Sequence, residues 1–339
     1  MEFHTIDSCS QKQNNNFTVL RLIAALLVIY GHSYPISGSG HPDLILQVIK
    51  SKFAGGVAVD VFFLISGFLI CASWGRNSFF SFSLARILRI YPALIVCVCL
   101  CVFVVGPLLT TADGYFLNPE TWRYLYHNAS SWQTEYFLPG VFLNNPDKAI
   151  NGSLWSLPLE VRLYCLIAIV GVLACLKEGR YFVVCVLAGL AYFFTPKDSA
   201  FMVQYVSWAG SAAFFMSGAF FWLYRKSIIL SAPLLAFLIV LAVALNGTQQ
   251  FTYIYFVLVS YATFYLAYIP NIGFNPKKDL SYGVYLYGWP VQQLVIHFVP
   301  DCSAEFNAIT SMLIVLVIAY FSWVYIESPA LALHKKSRR

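Results

Sequence analysis

An arginine and a histidine stand in one apolar stretch near the N-terminus, with ten residues between them. The stretch RLIAALLVIYGHSYPISG covers residues 21–38; Arg21 opens it and His32 lies inside it. A charged side chain in the middle of a membrane helix costs on the order of 2.5–3.5 kcal/mol. Eleven helical steps make three turns plus about 20°, so both side chains share one face, ~16 Å apart along the axis. We predict that this face is turned toward protein or a water-filled cavity.

A second group of basic side chains follows in the segment SLARILRIYP. Arg86 and Arg89 are three residues apart at the start of the third apolar stretch, so they share one helix face. Arg21 is expected at the same level of the membrane. Three guanidinium groups at one level suit phosphate, which they bind through bidentate hydrogen bonds. The alternative is that they anchor the topology by contacting lipid head groups.

The composition is that of an integral membrane protein. Of 339 residues, 59% are hydrophobic and 11% charged, whereas soluble chains carry roughly 25% charged residues. We predict an all-α bundle of about ten transmembrane helices that forms one domain over residues 1–339. The spans are expected near 17–36, 53–74, 84–110, 153–176, 181–195, 200–223, 228–246, 251–269, 280–299 and 306–326. No cleavable signal peptide is visible, and nine cysteines without a CxxC pair predict neither a disulfide nor a metal site.

The basic residues are unequally divided between the two sides of these spans. With the N-terminus inside, fifteen Lys and Arg lie in inner segments and five in outer ones. The positive-inside rule therefore places both termini in the cytoplasm, as a tail of residues 1–16 and a basic tail of residues 329–339. The longest connection, 110–152, is then extracytoplasmic and has no clear secondary structure in the sequence. The net charge of +6 reports topology, so nucleic-acid binding is not expected.

Three ionisable residues are expected at one depth in this topology. His32 lies near the outer end of the first span, and Asp60 and Glu160 each lie about seven residues into the second and fourth spans, which places all three ~8–11 Å below the outer surface. They could form one polar cluster in which a carboxylate orients the imidazole and raises its basicity, as in a general base. The alternative is separate structural hydrogen bonds, with Glu160 paired to Arg162.

Aromatic side chains mark the outer segment and offer flat faces to a sugar ring. Trp122 and Trp132 are the tryptophans of this segment. An aromatic belt at the membrane interface is the alternative explanation.

Taken together, the motifs resemble the acyltransferase-3 family of integral membrane acyltransferases, which modify surface and secreted carbohydrates. The resemblance covers nearly the whole chain. It is carried, in order, by Arg21 and His32, GGVAVDVFFLISGF, the Arg86–Arg89 pair, SLWSLPLE, SYGVYLYGWP and YIESP.

The resemblance implies a multi-pass O-acyltransferase of the inner (plasma) membrane that uses acyl-CoA from the cytoplasm, with acetyl as the expected group. The acceptor would be a hydroxyl of a polysaccharide such as O-antigen or exopolysaccharide, and no permanently bound cofactor is expected. Catalysis is assigned to His32, with Asp60 or Glu160 orienting it. Donor binding is assigned to Arg21, Arg86 and Arg89. We add Trp155, Tyr285, Trp122 and Trp132 as substrate-binding candidates, with Trp122 and Trp132 expected to contact the acceptor.

One departure and several alternatives remain at this point. The family often has His two residues before the Pro of SYGVYLYGWP, where this chain has Gly288; Tyr285 and Tyr287 are nearby replacements. A glycolipid or polysaccharide transporter or flippase would also bury His and carboxylates, although the internal repeats typical of transporters are not visible. Direct transfer and an acyl-His intermediate are both open, and so is the oligomeric state.

Overall fold

The computed structural model describes residues 4–11, 15–173, 200–274 and 276–336. These residues form helices, the segments that connect them and one pair of two-residue strands. The first two-residue strand, β1 (His4–Thr5), pairs antiparallel with β2 (Ile229–Leu230). The helices are α1 Ile6–Ser10, α2 Phe17–Ile36, α3 Leu44–Ile49, α4 Ala54–Trp74, α5 Phe79–Leu100, α6 Gly106–Leu109, α7 Pro119–Ser130, α8 Ser156–Val172, α9 Ala200–Leu223, α10 Ala232–Leu245, α11 Phe251–Tyr268, α12 Ser281–Phe298, α13 Ala304–Ser322 and α14 Ser328–Lys336. Two π-helical turns, Cys101–Val105 and Trp323–Glu327, continue α5 and α13, and a 3₁₀ turn, Gly152–Trp155, precedes α8.

The predicted helical class is confirmed, and the predicted spans coincide with helices wherever the structure describes them. Within the described ranges, six helices are long and apolar enough to cross a membrane, and two shorter apolar helices accompany them. The predicted span 181–195 lies outside the described residues. The number ten and the cytoplasmic placement of both termini stay predictions.

Helix starts follow local rules of sequence. Asp43 caps α3 by accepting hydrogen bonds from the backbone N–H groups of Ile45 and Leu46, and Ser78 caps α5 in the same way through Ser81. Such side chains satisfy backbone donors that have no partner inside the helix. The N-terminal starts of α3 and α5 are therefore each fixed by one capping side chain.

Small residues allow the closest helix crossings. A Cβ on Gly67 of α4 would meet the backbone of Phe215 on α9, and a Cβ on Gly218 of α9 would meet the backbone of Leu64. A Cβ on Gly31 of α2 would run into the backbone nitrogen of Gly55 on α4. In membranes such residues let backbones approach and gain packing contacts, so α4 lies tightly between α2 and α9.

The segment 110–152 is more ordered than the sequence suggested. It contains α7, whose first turn is capped by Asn118 through the backbone N–H of Glu120 at 2.9 Å and begins with Pro119. Tyr124 on α7 is fully buried. The prediction of a segment without clear secondary structure is wrong here, because twelve residues with a cap and a buried face form a helix.

Candidate active site

The three predicted donor arginines lie together at one end of the bundle, called the arginine end. Arg21 of α2 and Arg86 and Arg89 of α5 line a common cavity of about 810 Å³, counting the space open to solvent. The cavity also contacts polar side chains of α4, α8 and α12, namely Ser66, Ser156, Glu160, Tyr164, Ser281, Tyr282 and Tyr285. The helix face that Arg86 and Arg89 were predicted to share therefore faces a cavity.

A carboxylate that sequence analysis missed joins two of the arginines. Arg21 Nη1 lies 2.6 Å and Arg89 Nη2 lies 2.7 Å from the same oxygen, Oδ2 of Asp279. Burial alone would raise the pKa of Asp279, but the two guanidinium groups outweigh burial and hold that pKa well below its ordinary value. Ser281 donates to the other oxygen from its hydroxyl at 2.6 Å. The available indication in the sequence was an acidic residue directly before the predicted span 280–299, at the level of the arginines.

A second missed carboxylate stands behind Arg89. Glu327 Oε2 lies 3.6 Å from Arg89 Nη1, and the Glu327 side chain is only 2% exposed. Ser322 donates to its other oxygen at 3.1 Å. Glu327 belongs to the YIESP motif, but the sequence alone assigns its carboxylate no role.

Arg86 differs from the other two arginines. Arg21 and Arg89 both contact Asp279, and Arg89 also faces Glu327, so each of these two arginines has an acidic partner. In the described part of the chain Arg86 forms no ion pair, and its buried Nε has no hydrogen-bond partner. A buried N–H without a hydrogen-bond partner is costly, so the Arg86 guanidinium is available to an anion entering the cavity.

Glu160 lies on the cavity wall, away from Arg162. Its Oε1 accepts hydrogen bonds from the hydroxyls of Ser66 on α4, at 3.2 Å, and of Tyr164 one turn along α8. Arg162 instead donates to the carbonyl of Trp132 at 2.9 Å. The Glu160–Arg162 pairing considered from sequence is therefore not formed.

Asp60 belongs to a different polar group. Its side chain, 2% exposed, forms an ion pair with Lys52 and accepts a hydrogen bond from Tyr255 on α11 at 2.8 Å. Ser66, the partner of Glu160, lies six residues along α4, which is about 120° around the helix from Asp60. The predicted cluster of His32, Asp60 and Glu160 is not formed, because equal depth does not fix the direction in which each side chain leaves its helix.

His32 lies at the other end of the cavity helices, called the histidine end, against two aromatic rings. Its ring centroid is 5.2 Å from that of Phe53 and 4.9 Å from that of Trp289. Its Nδ1 lies 2.8 Å from the carbonyl oxygen of Val28, one turn earlier in α2. A carbonyl only accepts, so Nδ1 carries the proton in the neutral ring and Nε2 is the basic nitrogen. A backbone carbonyl, and neither predicted carboxylate, orients the imidazole.

Helix α12 connects the cavity to the histidine end. Tyr285 lines the cavity, donates to the carbonyl of Ser153 at 2.7 Å and lies 2.6 Å from Ser156 Oγ. Trp289, one turn or ~6 Å further along α12, donates to the carbonyl of Ala149 at 3.0 Å. Trp289 was missed by sequence analysis, although it stands beside the Pro of a quoted motif.

The glycine that replaces a common family histidine faces α2. A Cβ on Gly288 would lie 2.9 Å from Cγ1 of Ile29, so a larger side chain would press α12 against α2. Of the two suggested replacements, Tyr285 lines the cavity, whereas Tyr287 is buried among other side chains and does not line it.

The predicted substrate-binding tryptophans are distributed along the segment 110–152 and the start of α8. Trp155 ends the 3₁₀ turn before α8 and is half-buried outside the cavity lining. Trp122 packs against Phe103 and donates to the carbonyl of Phe116 at 2.8 Å. Trp132 is 62% exposed and covers the guanidinium of Arg162 at 5.1 Å. None of the three contacts the cavity, and their roles stay predictions.

Comparisons with known proteins extend over the same residues. Residues 14–327 match a protein family that is described as an acyltransferase domain. An O-acetyl transferase of Shigella phage Sf6 is 31% identical over 343 aligned residues, which cover 93% of this chain and 95% of that protein. Nodulation protein 10 of Rhizobium leguminosarum bv. viciae is 35% identical over 170 residues, 46% of this chain and 43% of its own. No solved structure matches the chain.

Proposed function

The chain belongs to this acyltransferase family and is an O-acetyltransferase, and from that premise we propose that it acetylates a hydroxyl of a surface or secreted polysaccharide with cytoplasmic acetyl-CoA. It would act as a multi-pass protein of the inner (plasma) membrane with both termini in the cytoplasm. The arginine end then faces the cytoplasm and the histidine end faces outward. O-antigen and exopolysaccharide are the acceptors considered.

One observation carries this proposal: a single cavity contacts all three arginines at one end and Tyr285 at the other. Arg86, without an ion-pair partner among the described residues, would bind a donor phosphate, and Arg21 and Arg89 would contribute from their places beside Asp279. The pantetheine arm would follow the cavity to Tyr285. The next turn of α12 carries Trp289, which contacts His32.

The chemistry assigned to His32 is general-base catalysis at Nε2. This nitrogen takes the proton of the acceptor hydroxyl as the oxygen attacks the thioester carbonyl carbon. The new C–O bond forms, the C–S bond breaks, and the imidazolium returns the proton to the leaving thiolate. Because Nδ1 is held by the Val28 carbonyl, the ring keeps one orientation through both proton transfers.

The direct test measures acetyl transfer by purified protein in nanodiscs, with labelled acetyl-CoA and isolated polysaccharide. Transfer of label to the glycan as a base-labile ester is the expected result, and its loss in His32→Ala with unchanged folding would link it to this site. An active protein that acetylates no glycan but a small hydroxyl compound would overturn the acceptor class. A protein that never cleaves acetyl-CoA would overturn the donor.

A further inference from the structure

One face of α8 presents two hydrogen-bond acceptors to the cavity. Ser156 and Glu160 both line it and are four residues apart, so they lie one above the other, ~6 Å apart along the helix. Ser156 lies beside Tyr285, and Glu160 lies one turn of α8 closer to the arginine end. Phosphate binding by the arginines and general-base catalysis by His32 use neither side chain.

The hydrogen bonds around Ser156 leave its oxygen free to accept. Tyr285 has one hydroxyl proton and donates it to the carbonyl of Ser153 at 2.7 Å. Ser156 Oγ, 2.6 Å from the same Tyr285 oxygen, must therefore be the donor in that contact. Its lone pairs remain for a further N–H.

Glu160 is held in place through only one of its two oxygens. Ser66 and Tyr164 both donate to Oε1, and no hydrogen bond within the described residues reaches Oε2. A carboxylate oxygen on a cavity wall is a strong acceptor for a neutral amide N–H. The two hydroxyl groups position the carboxylate and leave Oε2 for a ligand.

We infer that Ser156 and Glu160 bind the two amide N–H groups of the donor's pantetheine arm, an inference that rests on the proposed acyl-CoA donor. The β-alanine unit separates the two amide nitrogens by about 5 Å when extended, from standard bond lengths, against ~6 Å for one helical turn. The amide nearer the thioester pairs with Ser156, and the amide nearer the phosphates pairs with Glu160.

The remaining lengths agree with this register. From the nitrogen at Ser156, the cysteamine unit places the thioester carbonyl carbon about 5–6 Å away. This length matches the rise of α12 from Tyr285 to Trp289, which is about 6 Å. The thioester carbonyl would therefore lie at the level of Trp289, which contacts His32. Glu160, a catalytic candidate from sequence, is thereby assigned to donor binding.

The experiment compares three donors: acetyl-CoA, and two acetyl-CoA analogues in which the amide N–H nearer the sulfur, or the one nearer the phosphates, is replaced by an ester oxygen. Ser156→Ala should lower kcat/KM for acetyl-CoA about fivefold to tenfold, as expected for one lost hydrogen bond. For the analogue altered near the sulfur, which lacks that hydrogen bond already, Ser156→Ala and wild type should have the same kcat/KM. Glu160→Gln should show the same pattern with the other analogue. Ser260→Ala, a buried serine on α11 away from the cavity, is the matched control and should treat all donors as wild type does.

Each donor comparison is made within one variant, so it does not depend on how much protein folds. If a variant is inactive, binding of the non-reactive ether forms of the same donors gives the comparison. Equal losses for all three donors in Ser156→Ala and Glu160→Gln would overturn the inference while leaving the acetyl-CoA donor intact. No transfer from acetyl-CoA by wild-type protein would overturn the proposed function and this inference together.

Discussion

The arginine end and the histidine end both hold ionisable side chains inside an apolar bundle, but they do so with different partners. At the arginine end, Arg21 and Arg89 face the carboxylates of Asp279 and Glu327. At the histidine end, the imidazole of His32 is held by two aromatic rings and a backbone carbonyl. A guanidinium is always charged and needs counter-charges when buried, whereas a neutral imidazole needs only a hydrogen bond.

In the proposed function, this difference suits donor binding at the arginine end and proton transfer at the histidine end. Among the described residues no carboxylate is hydrogen-bonded to His32, and its Nδ1 is bound to a backbone carbonyl, so Nε2 keeps the lone pair that accepts a proton. The guanidinium groups at the arginine end keep their positive charge at neutral pH and suit a polyanion.

The largest expected effect is at His32. His32→Ala should lower kcat at least 10²-fold, the lower limit typical of lost general-base catalysis, because no other imidazole contacts Trp289 in the described structure. Donor binding, measured with a non-reactive acetyl-CoA analogue, should change less than threefold. A weaker donor affinity in this variant would contradict the separation between the two ends. Thermal unfolding of the variant in nanodiscs is the control for folding.

Arg86 should show the opposite pattern. Arg86→Ala should raise the donor KM roughly 10- to 100-fold, as expected for a lost charge-assisted hydrogen bond, with a smaller change in kcat. Arg86→Lys should recover only part of this loss because an ammonium lacks the bidentate fork. Arg76→Ala, a basic residue outside the cavity lining, is the matched control. An unchanged donor KM in Arg86→Ala would make this residue a packing or topology feature.

The contribution of Asp279 to the stability of the protein should change with pH only under acidic conditions. Because its pKa is depressed in the folded protein, its stabilising effect is present above the ordinary Asp value of about 3.9 and is lost as the pH falls below it. Asp279→Asn should therefore lower Tm at pH 7, and the difference from wild type should shrink below about pH 4. Tm measured from pH 3 to 8 tests this. A difference that grows on acidification would contradict the charge assignment.

Gly288 allows a steric test at the histidine end. Gly288→His should destabilise the protein by about 1–3 kcal/mol, the usual cost of overpacking, because the new Cβ approaches Ile29. Adding Ile29→Ala should recover part of the stability by making space on α2. If the single variant unfolds at the wild-type temperature, α2 and α12 are further apart than described. Tm of the two variants decides between these outcomes.

The smallest expected effect is at the exposed tryptophan of the outer segment. Trp132→Ala should lower transfer to the glycan a few-fold and leave thioester hydrolysis by water unchanged, since a 62% exposed ring offers a face to sugar. Trp122→Ala should mainly lower Tm, because its indole already donates to the Phe116 carbonyl. Equal decreases in transfer and hydrolysis for Trp132→Ala would exclude a role in acceptor binding.

The length of apolar runs predicted the helices well, because a membrane span needs a long apolar run, which a sequence displays directly. The described helix α2 has the predicted bounds, 17–36, and α9 has the bounds 200–223. The segment 110–152 was less predictable. Its helix α7 is only twelve residues long, and its formation depends on a cap and on burial of Tyr124 that the apolar pattern does not show.

The sequence by itself also determined that Arg86 and Arg89 share a face, since three residues along one helix leave no other arrangement. The tertiary structure decided which charges meet. Asp279 joins Arg21 and Arg89 across three chain segments, while Asp60 turns to Lys52 and Tyr255, and Glu160 turns to Ser66 and Tyr164. Depth in a membrane follows from counting residues at 1.5 Å each, but the neighbour that a side chain reaches depends on how each helix is rotated and packed.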